Sequence, residues 1–124
     1  MPALAQAHST PDLRPAPKAV EAVVSDLAVR FGNRLATSLA VREQHANTTT
    51  WLPNQPPDAV VFPQTVADIQ EIVRLCAAHR VPVIPYGTGT SLEGHVNAPF
   101  GGVSIDVRDM NRVLAVHTED LDCV

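Results

Sequence analysis

The chain contains no run of the roughly eighteen apolar residues that a bilayer-spanning helix needs, so the sequence predicts no membrane span. Positive charge is scarce. Nine Lys and Arg stand against thirteen Asp and Glu, a net charge of -4, and no surface suited to nucleic-acid phosphates is expected. Cysteine is rare too: Cys76 and Cys123 have no metal-ligand spacing, and each lies in an apolar run where a thiol behaves as a small hydrophobe, so both are expected to be structural. His8, His45, His79 and His117 are scattered without an i, i+4 pair or clustered carboxylates, and no metal site is expected. The N-terminus has no basic stretch followed by an apolar core, which argues against a secretory signal. Arg14 and Lys18 alone, with Asp12 between other residues of the tail, are too few cations for a mitochondrial transit peptide. The expected address is cytoplasmic, with peripheral attachment at the inner membrane as the alternative. What remains is a chain of 124 residues that is 45% hydrophobic and 18% charged, enough for one soluble domain with a core or a piece of one.

Four prolines among alanines and no apolar period mark residues 1–17 as a loose tail. From Pro17 the apolar residues Val20, Val23, Val24, Leu27, Ala28 and Phe31 recur at three and four, predicting a helix that Gly32 closes. Asn33 is then expected to cap a second short helix through Leu35, Leu39 and Val41, and the polar run from Arg42 to Thr50 reads as loop. Trp51 is expected to anchor that loop. These pieces make a second segment, residues 18–56.

Residues 57–124 read differently. Asp58 to Pro63 is a short apolar run between prolines, a buried strand. Thr65 opens a helix in which Asp68 reaches back and Val66, Ile69, Ile72, Val73, Cys76 and Ala77 form an inward stripe. Pro82 to Pro85 is a second strand, so a strand-helix-strand unit with parallel pairing and a right-handed crossover is expected. Gly102 to Val107 and Val113 to Val116 read as further strands. Leu121 to Val124 opens another and stops without a turn or cap, so the chain is expected to be truncated at its C-terminus. The fold class is α/β.

One segment asks for more than a fold. Pro85 to His95 packs three glycines and three hydroxyls just past a strand end. Such a loop can turn backbone amides inward to form a concave anion site, with Thr88, Thr90 and Ser91 as added donors, and a diphosphate is the natural ligand. The carboxyl end of a strand in an open α/β sheet is where such ligands bind. A Walker loop is excluded because no Gly-Lys precedes a Ser or Thr here. A dinucleotide fingerprint would need glycine where Leu92 stands and a helix where Gly94, Asn97 and Pro99 follow. The alternative is that Gly87, Gly89 and Gly94 only make a wide turn.

At these residues the chain resembles the flavin-linked oxidases with the vanillyl-alcohol-oxidase (PCMH) type of FAD domain. Pro57 to Pro63 is similar to the family's first strand, Thr65 to His79 to its helix, and Pro85 to Gly94 to its pyrophosphate loop. The wording from Gly87 to Gly94, the segment from Gly101 to Leu114, and Arg42-Glu43-Gln44-His45 resemble the FAD-dependent D-lactate dehydrogenase branch. The resemblance implies the N-terminal part of an FAD-binding domain, with Tyr86, Gly87, Thr88, Gly89, Thr90, Ser91, Leu92, Gly94 and His95 at the FAD diphosphate. Some relatives link the flavin through a histidine after the second loop glycine. Thr90 holds that place here, which implies noncovalent FAD. The implied reaction is oxidation of a small 2-hydroxy acid, D-lactate foremost, by the full-length protein, the chain alone being expected to be inactive. A glycolate oxidase flavin subunit, another FAD-linked oxidase, or a non-catalytic phosphate-binding α/β module are the alternatives. His95 is expected to serve as a hydrogen-bonding loop residue, and no catalytic role is assigned to Asp106 or Asp109.

Overall fold

A computed structural model describes residues 13–47 and 49–124. The tail expected over 1–17 lies mostly outside these residues. Pro17 opens helix α1 (Pro17–Phe31), where its missing amide costs nothing, and Gly32 ends it. The helix buries Val23, Leu27 and Phe31 and half-buries Val20 and Val24 of the predicted stripe, whereas Ala28 faces outward.

The second helix begins later than expected. Asn33 lies in a 3₁₀ turn over Gly32–Arg34, and Leu35–Ala36 is a short strand, β1, whose residues pair antiparallel with Val61 and Val60. Pairing with a sheet strand has overridden the helical pattern there. Helix α2 spans Leu39–Gln44 and so takes in the start of the polar run. That run has a buried side: His45 and Ala46 are fully enclosed, and Arg42 Nε donates to the Pro57 carbonyl at 2.6 Å. Trp51 does not anchor the loop, being 90% exposed.

Strand β2 (Ala59–Val61) is buried along its whole length. Helix α3 (Val66–Ala78) is capped as its sequence predicts, the Asp68 amide donating to Thr65 Oγ1 at 3.1 Å. Asp68 reaches back one residue further than Thr65, accepting from the Gln64 amide at 2.8 Å and from Arg34 at 2.7 Å. Its buried stripe is narrower than expected. Ile72 and Cys76 are enclosed and Ile69 and Leu75 partly so, whereas Val66, Val73 and Ala77 face outward. Val73 and Ala77 each follow a buried residue, and one step turns a helix by about 100°.

Strands β3 (Val83–Tyr86) and β4 (Val103–Asp106) complete a four-stranded sheet in the order β1-β2-β4-β3. The strands flanking α3 run parallel but do not pair, because β4 lies between them and pairs parallel with both. Gly102 makes room for this insertion. At φ +108° a Cβ there would lie 2.8 Å from the Pro82 carbonyl carbon, and the absence of one lets the Val103 amide bond the Pro82 oxygen at 2.9 Å. Asp58 holds the same entry, accepting from the Gly102 amide at 2.7 Å. Central placement buries all four residues of β4, Ser104 and Asp106 included, so its apolar-polar alternation does not mark a solvent face.

Val23, Leu27 and Phe31 of α1 meet Ile72 and Cys76 of α3 and Val61, Val103 and Ile105 of the sheet in one core. Burial pushes the Cys76 thiol up to about 11, in keeping with a structural role. Cys123 is exposed, against expectation. It lies in a separate two-stranded hairpin, β5 (Val116–His117) against β6 (Asp122–Cys123). The strand expected over Val113 to Val116 is thus reduced to its last residue and its successor. Among the described residues no helix is long and apolar enough to cross a membrane.

Candidate functional site

Of the nine residues singled out at the glycine loop, Tyr86 ends β3 and the other eight lie in the connection that follows it to β4. The Tyr86 carbonyl is held by the Val107 amide at 3.1 Å. The chain then turns over the Tyr86 ring. Gly89 has φ +72°, and a Cβ there would stand 2.8 Å from Tyr86 Cζ and closer still to its hydroxyl, so a side chain at 89 is excluded twice, by backbone conformation and by space. Among the described residues, the amides of Gly87, Thr88, Gly89 and Thr90 donate to no backbone carbonyl. They form a row of available donors.

Side chains extend that row. Thr88 Oγ1 and Thr90 Oγ1 are 3.1 Å apart, and Ser91 Oγ meets His95 Nδ1 at 3.1 Å, which gives His95 the loop-closing hydrogen bond expected of it. Leu92 points its side chain to solvent at 73% exposure. The Asn97 amide donates to the Gly94 carbonyl at 3.0 Å, while the buried Asn97 side chain accepts from the Gln55 amide and leaves its Nδ2 without a partner. Glu93 is the one acid in the loop, and no Lys or Arg lies between Gly87 and Gly94. An anion here would be held by dipoles and hydroxyls. The loop is open, and a cavity of about 420 Å³ between Arg14 and Asp58 contains none of its residues.

Below the loop lies a buried polar group that sequence reasoning missed. His45 follows α2 directly and is fully enclosed, its Nδ1 2.7 Å from the Val41 carbonyl and its Nε2 2.9 Å from Asp106 Oδ2. The His45 ring lies 4.4 Å from that of Tyr86 at 46°. Arg108 donates from Nε to Asp106 Oδ2 at 2.7 Å and from its backbone amide to Oδ1 at 2.9 Å. Its guanidinium lies 4.9 Å over the Phe62 ring. Burial opposes ionisation of Asp106, but hydrogen bonds from Arg108 and His45 outweigh it and hold the carboxyl below the usual carboxylate range. The same Asp106 hydrogen bond raises Arg108. No local signal marked the pair, because the need of Asp106 for a buried partner follows from the pairing of its strand on both sides, which only the structure shows. Among the described residues no three His, Cys, Asp or Glu gather as a metal site.

A strand-end loop of glycines and hydroxyls on a mixed α/β sheet is a setting in which anions bind, and comparison with known proteins supplies a family. The sequence profile described as "FAD binding domain" matches residues 57–124. The chain belongs to this family, and its cofactor is FAD. It is 43% identical over 105 residues to the zebrafish (Danio rerio) probable mitochondrial D-lactate dehydrogenase, covering 84% of this chain and 21% of that protein. Over 68 residues it is 48% identical to the mitochondrial D-lactate dehydrogenase (cytochrome) of Arabidopsis thaliana, covering 55% of this chain and 12% of that one. Bacillus subtilis glycolate oxidase subunit GlcD is 38% identical over 65 residues, 52% of this chain and 14% of its own. Among solved structures, p-cresol methylhydroxylase superposes with a TM-score of 0.71 at 18% identity, covering 85% of this chain and 21% of that chain. Alkyldihydroxyacetonephosphate synthase gives 0.72 at 24% identity, covering 99% and 25%. The fold is therefore that of the PCMH-type FAD domain, and the chain spans about a fifth of its zebrafish relative.

Proposed function

We propose that this chain supplies the diphosphate-binding part of a flavin-dependent D-2-hydroxyacid dehydrogenase that oxidises D-lactate to pyruvate. The carrying observation is that the successive amides from Gly87 to Thr90 have no backbone partner among the described residues, with Gly89 set against the Tyr86 ring. In this reading Tyr86, Gly87, Thr88, Gly89, Thr90, Ser91, Leu92, Gly94 and His95 border the FAD diphosphate, with amides and hydroxyls as donors. Residues 57–124 are the part of the chain that carries cofactor binding. FAD supplies the two-electron acceptor, and the chain's own share is to bind and orient it. The cofactor is held without a covalent link, because Thr90 offers no ring nitrogen to the flavin. Identity to two D-lactate dehydrogenases favours D-lactate, and identity to the glycolate oxidase subunit supports glycolate as a second reading.

Gly89→Val in the full-length flavoprotein tests the assignment. A β-branched residue at this φ is a severe outlier, and its side chain would meet Tyr86. Flavin absorbance of the purified variant should fall to near zero while its circular dichroism is kept, and D-lactate-driven dye reduction should vanish with it. Retained flavin and turnover would reduce the glycines to a turn. Acid precipitation of the unmodified protein should release all its flavin, and rates on D-lactate, L-lactate and glycolate would separate the two substrate readings.

A further inference from the structure

We propose that His45 is a positioning residue for the cofactor loop, clamping Tyr86 against the end of β4 so that the amides from Gly87 to Thr90 keep one arrangement. This rests on the reading of that loop as the diphosphate site. Three elements converge on the imidazole. From α2 comes the Val41 carbonyl at 2.7 Å, from the end of β4 the Asp106 carboxylate at 2.9 Å, and from the end of β3 the Tyr86 ring at 4.4 Å. Arg108, just past β4, is the remaining charged group, with Nη2 3.4 Å from His45 Nε2, and the Phe62 ring stands edge-on at 6.0 Å.

Each ring nitrogen faces an acceptor, the Val41 carbonyl or the Asp106 carboxylate, and the ring packs against Tyr86, so the imidazole plane is held from three sides. A fixed ring against Tyr86 fixes Tyr86 in turn, and the Tyr86 hydroxyl lies where a Cβ of Gly89 would be. The line of contact therefore runs from Asp106 through His45 and Tyr86 to Gly89. Filling this volume needs only an apolar side chain, and a buried polar pair is seldom the most stabilising filling. What the polar pair adds is a defined orientation. Placing donors before the ligand arrives reduces the ordering cost of binding.

Tyr86 replaced by a site-specifically incorporated fluorotyrosine gives a fluorine resonance that reports the clamp apart from every other tyrosine of the full-length protein. The test compares His45→Ala, His45→Gln and Asp106→Asn in the full-length protein, as apoprotein and with FAD. Amide exchange at Val107, which bonds the Tyr86 carbonyl, should rise roughly tenfold in His45→Ala, while Ile72 in α3 changes by less than about twofold, because one buried hydrogen-bonded contact is lost at the loop root. The fluorine resonance at position 86 should broaden and the Kd for FAD should rise by roughly tenfold. His45→Gln, which keeps a donor for Asp106, should fall between the two proteins. Folded variants with unchanged Val107 exchange and FAD affinity would overturn the proposal. Equal loss of protection at Ile72, or unfolding of all three variants, would overturn it in favour of a general fold contact. If the unmodified protein binds no FAD, the diphosphate reading fails, while the exchange and tyrosine data still decide the clamp.

Discussion

An ionised carboxylate with almost no access to water survives only if its partners replace the water. Asp106 is 1% exposed and is held by His45 Nε2, by Nε and Nη2 of Arg108, and by the Arg108 amide. Because its folded value lies below the ordinary 3.8, protonation favours the unfolded chain. The stabilisation is complete above that ordinary value and is lost as pH falls through the lower folded value. Urea unfolding at pH 7, 5 and 3 should therefore show stability falling on the acid side of about pH 4. Asp106→Asn should cost about 2 kcal/mol at pH 7 and flatten that acid limb. Asp68 is displaced in the same direction, first by the Gln64 amide, but a fifth of its side chain is exposed and water screens its contribution. An acid limb as steep in Asp106→Asn as in the parent would assign the effect elsewhere. His45 and Asp106 were illegible as a pair because 61 positions separate them, His45 sits in a polar run, and Asp106 falls at a polar step of an alternating strand. The loop's place past the end of β3 was legible because its nine singled-out residues are nearly contiguous and their composition is unusual.

At the scale of elements, what could be read depended on whether the determinants were local. The cap of α3 needs only Thr65 and the Asp68 amide three residues on, and both are present in the structure. Thr65→Ala should cost about 1 kcal/mol, the usual worth of an N-cap, and should shift the denaturant midpoint without changing the slope. An unchanged midpoint would mean that Asp68, through Gln64 and Arg34, holds the helix start unaided. Strand order was not legible. The strands of 59–61 and 83–86 could be placed by their apolar runs, but no local pattern says that 103–106 slides between them. That decision belongs to Gly102 and Asp58, which shape the entry of β4 across 44 positions of sequence. The same non-local pairing drew Leu35–Ala36 into the sheet and away from a helix.

The whole molecule divides its apolar residues unevenly. The core takes those of α1, α3 and the four-stranded sheet, whereas Val113, Leu114, Val116, Leu121 and Val124 are exposed on and beside the small hairpin. A two-stranded hairpin gains little stability alone, and an exposed apolar cluster of this kind favours contact with another surface. The chain should self-associate through this hairpin at tens of micromolar, a range typical of weak apolar contacts. Leu121 offers a selective probe, being 92% exposed at φ +57°, a conformation that asparagine tolerates better. Leu121→Asn with Leu114→Lys should relieve the turn, remove two apolar side chains and leave the distant core intact. Sedimentation equilibrium should then give a mass near the 13.3 kDa of one chain, where the parent runs heavier, with the helical circular dichroism of α1 and α3 unchanged in both. A variant as associated as its parent would shift the contact to another surface. The outer edge of β3 would be the next to test, since among the described residues β3 pairs with β4 alone and a free edge is the other common route to association.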